Sequence, residues 1–167
     1  ILTRLFANTT GVNVPNGTLA QNGCAKFSYF TPRILAEIKK LGTTHVWYTG
    51  ILEHATQTDY TRYGIDNDHA GIVKGKAGSP YAVRDYYDVD PDLADNPANR
   101  MQEFEKLVAR THKAGLKMII DFVPNHVARQ YHSDVKPETD FGRHDRTDWH
   151  FSPQNNFYYY PHTPLAP

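Results

Sequence analysis

The chain has 167 residues in which 18 Lys and Arg balance 18 Asp and Glu, so no net field draws it to nucleic acid or to an anionic membrane. Hydrophobic residues make up 40% of it, enough for a core, but no stretch approaches the roughly 20 apolar residues of a membrane span. The single cysteine, Cys24, excludes a disulfide within the chain and a multi-cysteine zinc site, and reads as a small, unreactive side chain.

Taken in chain order, Ile1–Phe6 (ILTRLF) reads as a β-strand, followed by a loop rich in Gly, Asn and Thr. FTPRILAEIKKLG then carries helix grammar: Thr31 can cap, Pro32 takes the first helical position, Gly42 stops the helix, and Ile34, Leu35, Ile38 and Leu41 form one apolar stripe. THVWYTG is a short β-rich run. A long polar excursion from Ile51 to Asp92 follows, read as an insertion on a strand-to-helix loop. NPANRMQEFEKLVARTHKAG repeats the helix grammar, opened by Asn96 and Pro97 and closed by Gly115, with Met101, Phe104, Leu107 and Val108 spaced for one buried face. The next strand, Leu116–Val123, is a nearly continuous apolar run of the kind covered on both faces, broken only by Asp121. The first residue is Ile with no leader before it, and YYYPHTPLAP at the other end is a Pro-rich connection, so the chain reads as a piece of a longer protein.

Strand, helix, strand, helix, strand implies parallel strands joined by crossovers. A doubly wound sheet calls for a Gly-rich turn after its first strand, and FANTTG has no such turn. A (β/α)8 barrel fits better, because its chemistry sits where strands end, as Asp121, Asn125 and His126 do. A complete barrel takes about 250 residues. A carboxylate inside an apolar strand costs several kcal/mol unless a cation or donors wait for it. Arg129 and Lys117 flank the strand, where their heads reach water, so the partner of Asp121 is expected from elsewhere. Without that partner, Asp121 would lie exposed at an open edge, be bridged by water, or take up a proton.

Three segments together resemble the N-terminal part of an α-amylase family glycoside hydrolase. DFVPNH, Asp121 to His126, resembles the D-x-V-x-N-H signature at the end of the third barrel strand. GTTHVWYTG, Gly42 to Gly50, is similar to the second-strand segment, and SPYAVRDYYDVDPDLAD, Ser79 to Asp95, looks like the loop that usually reads G-Y-x-x-x-D-Y. The resemblance implies an α/β chain forming the first three βα elements of the (β/α)8 barrel over residues 1–127, with the start of an inserted domain over 128–167. It implies binding of α-linked glucans such as starch or malto-oligosaccharides, with Tyr81 stacked beneath the sugar and His126 donating a hydrogen bond to it. Asp121 and Asp85 would support the active site, Asp121 paired with an arginine near the nucleophile on strand four. Asn125 resembles the ligand of a calcium ion, a carbonyl suited to a hard cation.

Family chemistry is retaining hydrolysis by two carboxylates about 5–5.5 Å apart. The family's nucleophile, acid and third aspartate lie on strands four, five and seven, so the resemblance places no catalytic residue in this chain. Its partners would be the glucan and the remainder of its own barrel, or another copy of the chain at the open edge. A polymeric substrate favours residence outside the cell or in the periplasm. A non-catalytic sugar-binding relative and a transglycosylase of the same fold share all of these residues. Gly50 stands where the family often has proline, and NTTGVNVPNG lacks the aspartate-rich calcium loop of some relatives.

Other motifs read plainly. DVDPDLAD spaces Asp88, Asp90 and Asp92 like a calcium loop, but Leu93 and Asn99 stand where an EF-hand needs glycine and glutamate, so it reads as a turn leading into the helix. DNDH, Asp66 to His69, reads as solvated loop. His54, His132, His144, His150 and His162 are scattered in polar loops without metal-site spacing. NNFYYY, Asn156 to Tyr160, reads as a strand or packed ribbon of the inserted domain, with glucan stacking as the other possibility.

Overall fold

The helix signals place the helices. The computed structural model describes residues 1–164. A single turn, α1 (Leu19–Asn22), is closed by a capping box between Thr18 and Gln21. Thr31 caps α2 (Pro32–Lys40), its hydroxyl accepting from the Ile34 N–H at 3.3 Å. Leu35 is buried and Ile38 packs against the same core, but Leu41 is 83% exposed. It falls outside the predicted stripe because helical geometry ends at Lys40 and the chain turns at Gly42, whose φ is 81°. Asn96 opens a 3-10 turn over Pro97–Asn99, accepting from Ala98 N–H at 3.1 Å, before α3 (Arg100–Lys113) begins. Leu107 is buried in the core, with Met101 and Phe104 against it. Arg110 ties this helix to the loop before α2 by donating to the carbonyls of Phe27 and Phe30 at 2.6 and 3.2 Å.

The strand β1 (His45–Tyr48) lies parallel to the last strand, Lys117–Ile120, with His45 opposite Lys117 and Tyr48 opposite Ile120 and α3 in the crossover. Ring packing sets the core beneath them: Phe30 stacks on Phe6 at 4.9 Å and meets Tyr48 edge-on at 5.1 Å. The Tyr48 hydroxyl, buried there, finds Thr111 at 2.9 Å.

The expected strand Ile1–Phe6 shrinks to a single parallel bridge, Leu2 with Thr49. Leu5 and Phe6 both donate to the Leu2 carbonyl at 3.1 Å and turn the chain away. That turn delivers Arg4 to the carboxylate of Asp92, with Asp90 3.6 Å from the same guanidinium. Two deeply buried carboxylates need a cation more than the sheet needs another short edge strand. Asp90 also caps the 3-10 turn Pro91–Leu93, accepting from Asp92 N–H at 2.9 Å, as the turn reading of this stretch requires.

The excursion 51–92 is more ordered than a loop insertion. It contains an antiparallel pair, β2 (Leu52–His54) and β3 (Val83–Val89), which makes Lys117–Ile120 the fourth strand, β4. His54, expected in a polar loop, is buried on β2, with Nε2 3.1 Å from the Ala77 carbonyl and Nδ1 3.4 Å from Asp90. Asp68, expected in solvent, is drawn in by Arg84 at 2.9 Å and by the Thr56 N–H at 3.0 Å. After residue 127 the chain runs beside β3: Ala128 and His132 donate to the carbonyls of Val83 and Arg84 at 2.7 and 3.1 Å. Asn156–Tyr160 is a ribbon rather than a ladder strand, anchored by Tyr159 N–H on the His150 carbonyl at 3.1 Å and by Asp145, which accepts from the amides of Asn156 and Phe157 at 2.9 Å. Nor is β4 covered on both faces. Ile119 and Ile120 are exposed and Phe122 is 70% exposed, and β1 is the one strand partner of β4 among the described residues.

Two outcomes follow from these contacts. Arg4→Met leaves Asp90 and Asp92 without their guanidinium and lowers stability by about 3–5 kcal/mol in chemical denaturation, as removal of one partner from a buried ion pair does; a loss below about 1 kcal/mol would show that the pair is not holding this turn. Burial pushes the Cys24 thiol up to about 12. A thiol raised on folding stays protonated at neutral pH, so its contribution is constant up to the free-thiol value of about 8.5 and stability falls above it, where the unfolded chain ionises first. Cys24 is therefore expected to react with Ellman's reagent at pH 8 only in denaturant; native-state labelling at the rate of a free thiol contradicts its burial.

Candidate active-site cleft

Where β4 ends, the chain leaves the sheet through Asp121-Phe122-Val123-Pro124 and presents Asn125 and His126 to solvent. Asp121 is half-buried. Its Oδ1 accepts from the indole N–H of Trp47, on neighbouring β1, at 2.5 Å. Its Oδ2 is buried without a donor. One donor to Asp121 thus comes from within this chain, where its partners were expected wholly from outside, and among the described residues neither Arg129 nor Lys117 pairs with it.

Asn125 and His126 face each other, with the amide nitrogen 3.2 Å from imidazole Nδ1. With the amide donating, Nδ1 accepts and the imidazole proton sits on Nε2, free to donate to a ligand. The amide oxygen of Asn125 is likewise free. Both side chains line an open cleft of about 1410 Å³ whose other walls are aromatic: Tyr86, Phe122 and Tyr131 on one side, Phe157 to Tyr160 on the other. Tyr86 organises the first wall. Its hydroxyl donates to the Val123 carbonyl, which fixes the chain after β4, and its ring lies 5.4 Å from Phe122 and 5.9 Å from Tyr131. Sequence reasoning singled out its neighbour Asp85 and passed over Tyr86, although Tyr86 is the final tyrosine of the same Y-x-x-x-D-Y pattern.

The remaining candidates stand elsewhere. Tyr81 is 50% exposed and does not line the cleft. Asp85 is fully buried on β3, with Oδ1 accepting from Tyr87 N–H at 2.7 Å and Oδ2 unpartnered; burial holds its carboxyl above the usual range. Among the described residues no Asp or Glu lines the cleft. The carboxylates gather instead behind β3, where single oxygens of Glu53, Asp88 and Asp134 lie within 4.8 Å of one another. Burial pushes Glu53 up to about 9 there, and raises Asp88 as well. Asn125 is not part of that group, and no set of three His, Cys, Asp or Glu ligand atoms forms about it among the described residues.

The cleft can therefore hold a ring with apolar faces and peripheral hydroxyls, by stacking and by one imidazole donor. The chain is 39% identical over 71 residues to the amino acid transporter heavy chain SLC3A1 of Rattus norvegicus, covering 42% of this chain and 10% of that protein. It is 38% identical over 56 residues to an alpha-glucosidase of Culex pipiens, 34% of this chain and 9% of that one. The chain thus spans about a tenth of the length of these curated relatives. An alpha-amylase structure from Lactobacillus plantarum matches 68% of this chain and 22% of its own at 28% identity, with a TM-score of 0.48. Residues 1–164 match the model of the alpha amylase catalytic domain, and the chain belongs to the α-amylase family, whose catalytic domain is a (β/α)8 barrel.

Proposed function

We propose that the protein is a retaining glycoside hydrolase acting on α-linked glucans such as starch and malto-oligosaccharides, and that this chain supplies its substrate-binding side. Residues 1–127 would be the first three βα elements of the barrel and 128–167 the start of the inserted domain. The observation that carries this reading is the cleft itself: His126 projects an N–H donor between aromatic walls, and among the described residues no carboxylate stands there. Retaining hydrolysis needs a nucleophile and an acid/base about 5–5.5 Å apart on either side of the glycosidic bond. In this proposal those groups come from later strands, while His126 orients the sugar at the cleavage site and Tyr81, exposed just before β3, adds a stacking face from outside the described cleft. Asp121, held by Trp47 through one oxygen, keeps its second for an arginine of the nucleophile strand, and Asp85 supports the floor behind Tyr86. Calcium, if carried at Asn125, would bridge barrel and inserted domain as a hard cation on oxygen ligands. A polymeric substrate suits a protein outside the cell or in the periplasm.

A second reading has its own support. Proteins named amino acid transporter heavy chain are among its relatives, and in this reading the protein is a non-catalytic member that binds sugar or another chain. Turnover separates the two: the full-length protein is expected to release reducing ends from maltoheptaose, whereas binding without turnover would favour the second reading.

The purified 167-residue chain alone is expected to give no hydrolysis above background, because binding contacts without the carboxylate pair do not stabilise the transition state preferentially. Turnover persisting through repeated purification would refute it. In the full-length enzyme, His126→Ala should lower kcat/KM by about 1–3 kcal/mol of activation free energy, the range for a polar donor lost at the reacting sugar. Because the His126 side chain is exposed and bonds, among the described residues, to Asn125 alone, the Tm should barely move. Unchanged kinetics with a lowered Tm would make it a structural residue.

A further inference from the structure

The register of β2 on β3 sets Glu53 directly opposite Asp85. Directly opposed residues of an antiparallel pair share a face, and like charges there repel. Here both are out of water, Glu53 at 1% and Asp85 at 0% exposure. Asp88, farther along β3, and Asp134, from the segment that runs beside it, complete the group. Four of its oxygens have no donor: both of Glu53, Oδ2 of Asp85 and Oδ1 of Asp134.

The available cations do not balance it. Arg100 bonds Oδ2 of Asp88 at 2.5 Å and Oδ2 of Asp134 at 2.7 Å, and leaves Glu53 and Asp85 without a guanidinium of their own. Arg84 reaches Glu53 at 3.5 Å but is closer to Asp68, at 2.9 Å. Five carboxylates (Glu53, Asp68, Asp85, Asp88, Asp134) thus face two guanidiniums (Arg84, Arg100). Buried charge of one sign must be neutralised by protons or by a cation.

We propose that Glu53, Asp88 and Asp134, with Asp85 beside them opposite Glu53, form a site for a divalent hard cation of the calcium class. The donor set is all oxygen, since His54, next along β2, points to the opposite face, toward Asp90. All-oxygen, carboxylate-rich sets suit calcium and magnesium and give little to zinc or copper. Ligands on opposite sides of calcium stand up to about 5 Å apart and tolerate irregular placement, whereas magnesium demands a near-ideal octahedron at about 2.0–2.1 Å. Three oxygens within 4.8 Å, drawn from β2, β3 and the segment after residue 127, fit the looser ion. The ion would fasten that segment to β3 and would be distinct from any cation at Asn125.

The test uses the full-length protein stripped with a chelator, titrated with calcium chloride and with magnesium chloride by calorimetry and by thermal melting. In Asn125→Ala protein, calcium should still bind and still raise Tm, and magnesium should do so more weakly. Glu53→Gln/Asp134→Asn should bind one calcium ion fewer than wild type and lose that rise, while without cation it should melt no lower than wild type, since removing opposed charges relieves repulsion. If calcium gives neither heat nor a Tm rise with Asn125→Ala, the proposal fails and the carboxylates share protons instead. Equal stoichiometry in wild type and the double variant also overturns it. Should the double variant not fold, Asp85→Asn in the Asn125→Ala background takes its place, with weakened calcium binding expected and unchanged binding counting against the site. Since none of these readouts is hydrolysis, their failure leaves the functional reading above untouched.

Discussion

The carboxylate of Asp92 is the point on which the described chain converges. It is fully buried and accepts from Arg4 and from the Tyr60 hydroxyl, while its own carbonyl takes the ammonium of Lys26 at 2.6 Å. Four stretches far apart in sequence are thereby fixed to the turn between β3 and α3: the chain start, the loop before α2, the loop around residue 60 and, through Asp90, β2 with His54. A buried ion left unpaired costs several kcal/mol, more than a short ladder of strand hydrogen bonds returns. That difference explains why the apolar pattern of the first six residues yields to the reach of Arg4.

The same constraint marks what a reader of the sequence could and could not see. Helices α2 and α3 are set by short-range signals, a capping Thr or Asn and a proline before an apolar stripe, and these are visible within a few residues. The parallel pairing of β1 with β4 follows from the helix between them. The pair β2 and β3 is hidden because its buried positions include Glu53, Arg84, Asp85 and Asp88 beside the aliphatic ones. A strand whose buried positions are ionic shows no period-two hydrophobicity, so only knowledge of distant partners reveals it. His54 and Asp68 were misplaced for this reason: each is buried by a partner more than ten residues away.

At the cleft the legible part was Asn125 and His126, because they sit where a strand must end. The walls were less so. Tyr86 reaches the cleft from β3 and Phe157 to Tyr160 from a ribbon with no ladder of its own, so their convergence on His126 is a tertiary fact. Single aromatic residues along a sequence give no sign of which will share a wall.

Asp121 and Glu53 then show two ways in which a fold can carry an acid on a strand. Asp121 lies at a strand end, half-buried, with an indole on one oxygen, a hydrogen bond to a charged group that contributes about 1.5–3 kcal/mol, and with its other oxygen covered but beside the open edge of the sheet. Its second oxygen can stay unpaired until another strand or a ligand arrives. Glu53 has no such freedom. It is sealed behind β3 opposite another acid, with no donor on either oxygen, and there the cost of an unbalanced charge must be met within the structure itself. The acid at the strand end is therefore the one suited to binding that comes and goes, and the acid behind β3 the one suited to a permanent occupant.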